Sequence, residues 1–169
     1  FPNGYTTYKI EAKDFHGGHS ADIGKTTTNP MYEITKVVQS LNSSGDFRLC
    51  EMDTDSIANN VIPSNTFITF AANGLDTTIV QTALNAKLAE IKTKYTDETN
   101  AKLTISTINT TPTNTIKGEG SAASIDFIAS LFCGRGDEEG KYVKNANISP
   151  VKLEIDTQSG NGIFTMSYK

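Results

Sequence analysis

Polar and apolar residues alternate along TTYKIEAKDF (6–15). Tyr8, Ile10 and Ala12 fall on one face, Lys9, Glu11 and Lys13 on the other. A period of two predicts a strand buried on one side. The period turns helical after Asn29-Pro30, where Met31, Ile34, Val37, Val38 and Leu41 form one stripe that ends near Ser43-Ser44-Gly45. Asn29 reads as the N-cap of this helix and Pro30 as its first residue. FRLCEMDTDS (47–56) and SNTFITFAAN (64–73) predict two further strands, the latter rich in aromatic and β-branched residues. Between them IANNVIP contains Pro63 and reads as loop or strand entry. Asp76 then caps a long helix with Val80, Leu84, Leu88, Ile91 and Tyr95 at helical spacing, and AKLTISTINT (101–110) predicts a fourth strand.

Strand, helix, strand, strand, helix, strand is the split β-α-β order. It implies an α+β, ferredoxin-like fold: an antiparallel sheet with both helices on one face. After it come a loop (TPTNTIKGEGSA), a short helix near 121–132 with Ile125, Ile128, Leu131 and Phe132 inward, and a charged loop, GRGDEEGK. The chain ends in a predicted hairpin, 150–158 with 162–168, whose first arm alternates Val151, Leu153 and Ile155. Neither a repeat nor a linker divides residues 1–169, so a single domain is expected.

Composition narrows the function classes. The hydrophobic share of 37% and charged share of 20% are those of a globular domain. Net charge is −4, and the 15 basic residues are scattered, which argues against a nucleic-acid partner. No apolar run approaches the roughly 18 residues of a membrane span, and no charged start followed by an apolar run marks a signal peptide. The first residue is Phe1, which reads as a mature chain or a piece of something larger. Cys50 and Cys133 lie far apart and read as reduced thiols of a cytoplasmic protein. Asn-x-Ser/Thr triplets at Asn42, Asn109 and Asn147 arise readily in a chain rich in Asn and Thr. They are the reason to keep a non-enzymatic secreted or surface binding module as the alternative.

Candidate chemistry is sparse. Glu51, Asp53 and Asp55 share a strand face, where hard cations find oxygen ligands, but a flat row of carboxylates does not converge on a point. A solvated strand face is the simpler reading. Neither cysteine has a histidine nearby, no Gly-x-Ser-x-Gly elbow exists, and Gly134-Arg135-Gly136 lacks the Lys-Ser/Thr of a phosphate loop. Both histidines of the chain, His16 and His19, fall in FHGGHSADIGKTTTNP (15–30). Two histidines do not complete a zinc site, which takes at least three protein ligands. Two glycines before His19 instead permit a tight loop, fixed between a strand and a capped helix, that presents an imidazole.

KDFHGGHSADI, followed by an Asn-initiated helix, resembles the Gly-Gly-His-Ser-Gly segment of aminoacyl-histidine dipeptidases (peptidase D). These belong to the dinuclear zinc metallopeptidase superfamily of carboxypeptidase G2, aminoacylase and carnosinase. ANNVIPSNTF resembles the family's Asn-x-Ile-Pro segment between two lid strands. GKYVKNANISPVKLE is similar to a stretch in which an Asn precedes a late lid strand. Order and spacing agree over nearly all 169 residues, with departures at Ala21, where Gly is usual, and in a shorter loop around Arg135. The resemblance implies the lid, or dimerisation, domain of a zinc dipeptidase, with zinc ligands outside this chain. It implies that His19 stabilises the oxyanion of the substrate, across a subunit interface in dimeric members, and that Ser20 caps or orients its loop. It also implies that Asn60 helps hold the substrate's terminal carboxylate, with Asn147 and Arg135 as further candidates, although Asn60 reads equally as a turn residue before a strand. The expected partners are the parent catalytic domain, a second copy of the chain and a dipeptide. The expected cofactor is none in this chain and two zinc ions in the parent.

Overall fold

The structure is a computed structural model that describes residues 4–19, 22, 26–41, 47–55, 61–109, 125–126, 134–135, 147–148, 150–156 and 163–168. Phe47 and the residues from Gly134 onward are described by their backbone. Among the described residues the named elements follow in the order β1 (Tyr5–Lys13), β2 (Gly18–His19), α1 (Pro30–Leu41), β3 (Phe47–Thr54), β4 (Val61–Ile62), β5 (Thr66–Asn73), α2 (Thr77–Lys94), β6 (Lys102–Ile108), β7 (Gly134–Arg135), β8 (Asn147–Ile148), β9 (Pro150–Asp156) and β10 (Ile163–Tyr168).

Six strands form one antiparallel sheet in the order β10-β9-β3-β5-β1-β6. Its β3-β5-β1-β6 part is the ferredoxin-like order expected from the alternating patterns. Strand β1 lies between β5 and the edge strand β6, with Ile10 standing opposite Ile68 of β5 and Ile105 of β6. Tyr8, Ile10, Ala12, Ile68 and Phe70 bury the apolar face of β1 and β5 against Met31, Ile34 and Val38 of α1 and Val80, Leu84 and Ile91 of α2. Burial of this continuous cluster is the main favourable term in folding. The C-terminal hairpin joins the sheet at β3, where Met52 pairs with Ile155.

Both helix starts follow the sequence. Asn29 Oδ1 accepts the Met31 N–H at 3.0 Å. Asp76 Oδ1 accepts those of Thr78 and Ile79 at 2.9 and 3.4 Å. Each satisfies donors that an α-helix leaves unpaired in its first turn. Strand β3 stops at Thr54, two residues short of the predicted end, because Asp55 turns its carboxylate to the next segment: Oδ1 accepts from the Ser64 and Asn65 N–H groups and Oδ2 from Asn65 Nδ2. A bulge between Leu49 and Glu51 sets Cys50 as an extra residue in the ladder. Of the predicted 121–132 helix, Ile125 and Asp126 are described; both are helical, and Ile125 is fully buried. The rest of that helix, the QSGNG turn and Cys133 lie outside the described residues. Among the described residues no helix is long and apolar enough to cross a membrane.

Candidate functional site

The Gly-Gly-His segment leaves the end of β1 through a sharp turn. Asp14 takes φ 57, a left-handed conformation that Asp tolerates better than most residues, and its N–H donates to Asn65 Oδ1 at 3.1 Å. The next N–H, of Phe15, donates to the Ser64 carbonyl at 3.1 Å, and the Phe15 ring is buried in the core. Gly17 and Gly18 then adopt φ 69 and 94. A β-carbon on Gly17 would lie 2.5 Å from Ser64 Oγ and 3.1 Å from the Ile62 carbonyl oxygen, so this position requires glycine both for its backbone angle and for its close approach.

That approach makes a short ladder. Gly18 pairs with Ile62 and His19 with Val61, so IANNVIP supplies a two-residue strand that faces the histidine segment rather than the main sheet. The sequence reading of this stretch as strand entry did not anticipate its partner. His19 is exposed on this ladder, and His16 is exposed three residues earlier. Asn60 lies outside the described residues, but its neighbour Val61 is the register partner of His19. Ser20 and Ala21 also lie outside them.

The far end of the segment is equally fixed. Thr26 Oγ1 donates to Asp97 Oδ2 at 2.6 Å, and the Asp97 N–H donates to the Thr26 carbonyl at 3.0 Å. Glu98, 1% exposed, accepts the His16 N–H on Oε2 at 2.8 Å and the Thr28 N–H on Oε1 at 3.1 Å. Burial pushes the Glu98 carboxyl above its usual range, while the two backbone donors and the nearby His16 pull it down and Asp97 pushes it up. Thr28 Oγ1 donates to Glu33 Oε1 at 2.8 Å, and Glu33 Oε2 lies 3.0 Å from Lys87 Nζ, an ion pair that joins α1 to α2 beneath the segment. Glu98 carries no sequence signal of its own, and it was absent from the candidate residues.

The other two candidates meet elsewhere. Arg135 and Asn147 stand directly opposite each other in the antiparallel β7–β8 ladder, which is a sheet separate from the β2–β4 ladder. The row Glu51, Asp53, Asp55 does not assemble: Asp55 is taken up by Ser64 and Asn65, and Asp53 Oδ1 accepts the Thr54 N–H at 2.8 Å. Among the described residues no three His, Cys, Asp or Glu side chains come together as a metal site. What the arrangement offers chemically is an exposed imidazole, that of His19, on a backbone held from both sides, with a second exposed imidazole, that of His16, three residues before it.

No protein-family model matches the sequence, and no curated protein matches it. Solved structures do. The chain is similar along 99% of its length to aminoacylhistidine dipeptidase from Vibrio alginolyticus, at 20% identity and a TM-score of 0.78. It spans 34% of that chain. A looser likeness, at 10% identity and a TM-score of 0.42, covers 73% of this chain and 33% of an amidase of the hydantoinase/carbamoylase family from Burkholderia phymatum. The fold expected from the resemblance is therefore the fold observed: nearly the whole chain has the architecture of one third of an aminoacylhistidine dipeptidase.

Proposed function

We propose that this chain is the lid domain of a zinc-dependent dipeptidase acting on Xaa-His-like dipeptides, and that His19 is the group it delivers to the reaction. The observation that carries the reading is the exposed His19 on a ladder fixed by Gly17 and Gly18, within the fold of part of an aminoacylhistidine dipeptidase. The described residues do not form a metal-ligand set. The two zinc ions of such an enzyme would belong to its catalytic domain and supply activated water there. This chain's part is different. An imidazole N–H of His19 donates to the carbonyl oxygen of the scissile bond as negative charge grows on it, in trans where two copies pair. A donor placed at developing charge is worth about 10²–10³ in rate. Asn60, Asn147 and Arg135 hold the dipeptide's terminal carboxylate, and closure of the lid brings these groups to the substrate together. The setting is cytoplasmic, with the catalytic domain and a second subunit as partners.

The test is His19→Ala in the full-length parent, with kcat on Xaa-His dipeptides and bound zinc both measured. The reading expects a loss in kcat of about 10²–10³ at unchanged metal content. A near-normal kcat overturns it. Hydrolysis of the same dipeptides by the 169 residues alone would overturn the assignment of the catalytic centre to another part of the parent.

A further inference from the structure

We infer that Glu98 is the positioning residue of the His19 segment: one buried carboxylate accepts the backbone N–H groups of His16 and Thr28 and so fixes where His19 can reach. The two donors lie twelve residues apart in sequence and flank the histidine. Both bonds come from a side chain 1% exposed, in the turn between α2 and β6. Charge-assisted bonds of this kind are short and directional, and the buried Thr28 N–H, were it to lose its acceptor, would have no water to turn to. Asp97, one residue earlier, ties Thr26 through both its backbone and its carboxylate. Two consecutive residues of one turn therefore hold both stems of the segment, and the opposite flank is held by Ser64 and Asn65. Glutamate suits the position because each of its two oxygens serves one stem. Glutamine offers one acceptor and turns an N–H₂ group toward the other donor.

The consequence for catalysis rests on the reading of His19 given above, whereas the consequence for the segment does not, and two measurements separate them. Amide hydrogen exchange on the full chain compares the native protein with Glu98→Gln. The expected result is at least tenfold faster exchange at His16, Gly18, His19 and Thr28, with the β1–β5 ladder still protected. Unchanged exchange at those four amides overturns the inference. Should Glu98→Gln fail to fold, the native protein and His16→Gln suffice. The amide proton shifts of His16 and Thr28 should follow one common titration midpoint as Glu98 gains its proton, and in His16→Gln, which removes the neighbouring imidazole, the amides of residues 16 and 28 should still share one midpoint, moved upward. Separate midpoints, or none, overturn the inference. In the parent enzyme Glu98→Gln should lower kcat on the order of 10- to 100-fold with KM and bound zinc unchanged, the pattern of a misplaced group rather than lost binding. A loosened segment with unaltered kcat supports the positioning by Glu98 and overturns the role given to His19.

Discussion

Gly17 and Ser64 touch so closely that a single methyl group between them has no room: a β-carbon on Gly17 would lie 2.5 Å from Ser64 Oγ. This contact brings the His19 segment against the Ser64 connection between β4 and β5 and lets Gly18 and His19 pair with Ile62 and Val61 of β4.

Gly17→Ala should therefore cost two things, strain at φ 69 and the clash. The first is about 1–2 kcal/mol, and overpacking adds about 1 kcal/mol or more. Gly74→Ala is the control, since Gly74 has φ 72 with nothing within 4 Å of its would-be β-carbon. Urea unfolding should place Gly17→Ala clearly below Gly74→Ala, and Ser64→Ala should restore part of the difference. Equal losses at the two glycines would show that the close approach has no energetic weight.

Glu98 gives a pH dependence of definite sign. Burial raises its pKa above the ordinary 4.5, outweighing the two backbone donors. The folded chain thus binds this proton more readily than the unfolded chain. The stability linked to Glu98 is fully present below the ordinary glutamate value and is lost as pH rises through the raised folded value. Measured from neutral pH downward, the unfolding free energy of the native protein should gain on that of Glu98→Gln. Locally the effect is opposite, because a protonated carboxyl keeps one good acceptor for two N–H groups, so the protection of the His16 and Thr28 amides relative to their intrinsic exchange rates should fall in acid. A pH-independent difference between the two proteins would contradict the burial of this group.

The main elements were legible because their patterns are local. Tyr8, Ile10 and Ala12 alternate, Asp76 precedes an apolar stripe, and each pattern survives into the core. The anchoring of the site is not local. Glu98 sits in a polar turn and is buried by partners 82 and 70 residues away, so nothing beside it in sequence distinguishes it from a solvated carboxylate. The β2–β4 ladder is two residues long and is made by the backbone angles of Gly17 and Gly18, and two residues carry no readable alternation. The double glycine was visible, but its partner strand was not. His19 was found through its setting and through resemblance, whereas the register that aligns it with Val61 required the fold.

The Glu33–Lys87 pair should be strongly coupled. Glu33 is 4% exposed, its oxygens shared between Thr28 and Lys87. Burial lowers the Lys87 pKa, and the facing Glu33 with Glu90 more than offsets this, leaving it raised. Lys87→Met strands the Glu33 carboxylate and should destabilise by about 2–3 kcal/mol, somewhat less than for a fully buried pair because Lys87 retains some solvent contact. Adding Glu33→Gln should recover much of the loss, since the amide still accepts from Thr28. Denaturant unfolding of the two singles and the double forms the cycle, and additive losses would refute the coupling.

Cys50 should be chemically silent while the protein is folded. It sits at the β3 bulge, 6% exposed, and its thiol is pushed up to about 12 by burial, against a hydrogen bond from the Ala71 backbone and with a further push from Glu51. The thiolate is the reactive form, so both access and ionisation work against attack. In a Cys133→Ser background, iodoacetamide at pH 8 should modify Cys50 on the order of 100-fold more slowly in the native protein than in urea, as followed by intact mass. The rate should rise only at the denaturant concentration where the sheet unfolds, because β3 lies inside the sheet between β9 and β5. Labelling at the unfolded rate under native conditions would mean that β3 opens at the bulge without global unfolding.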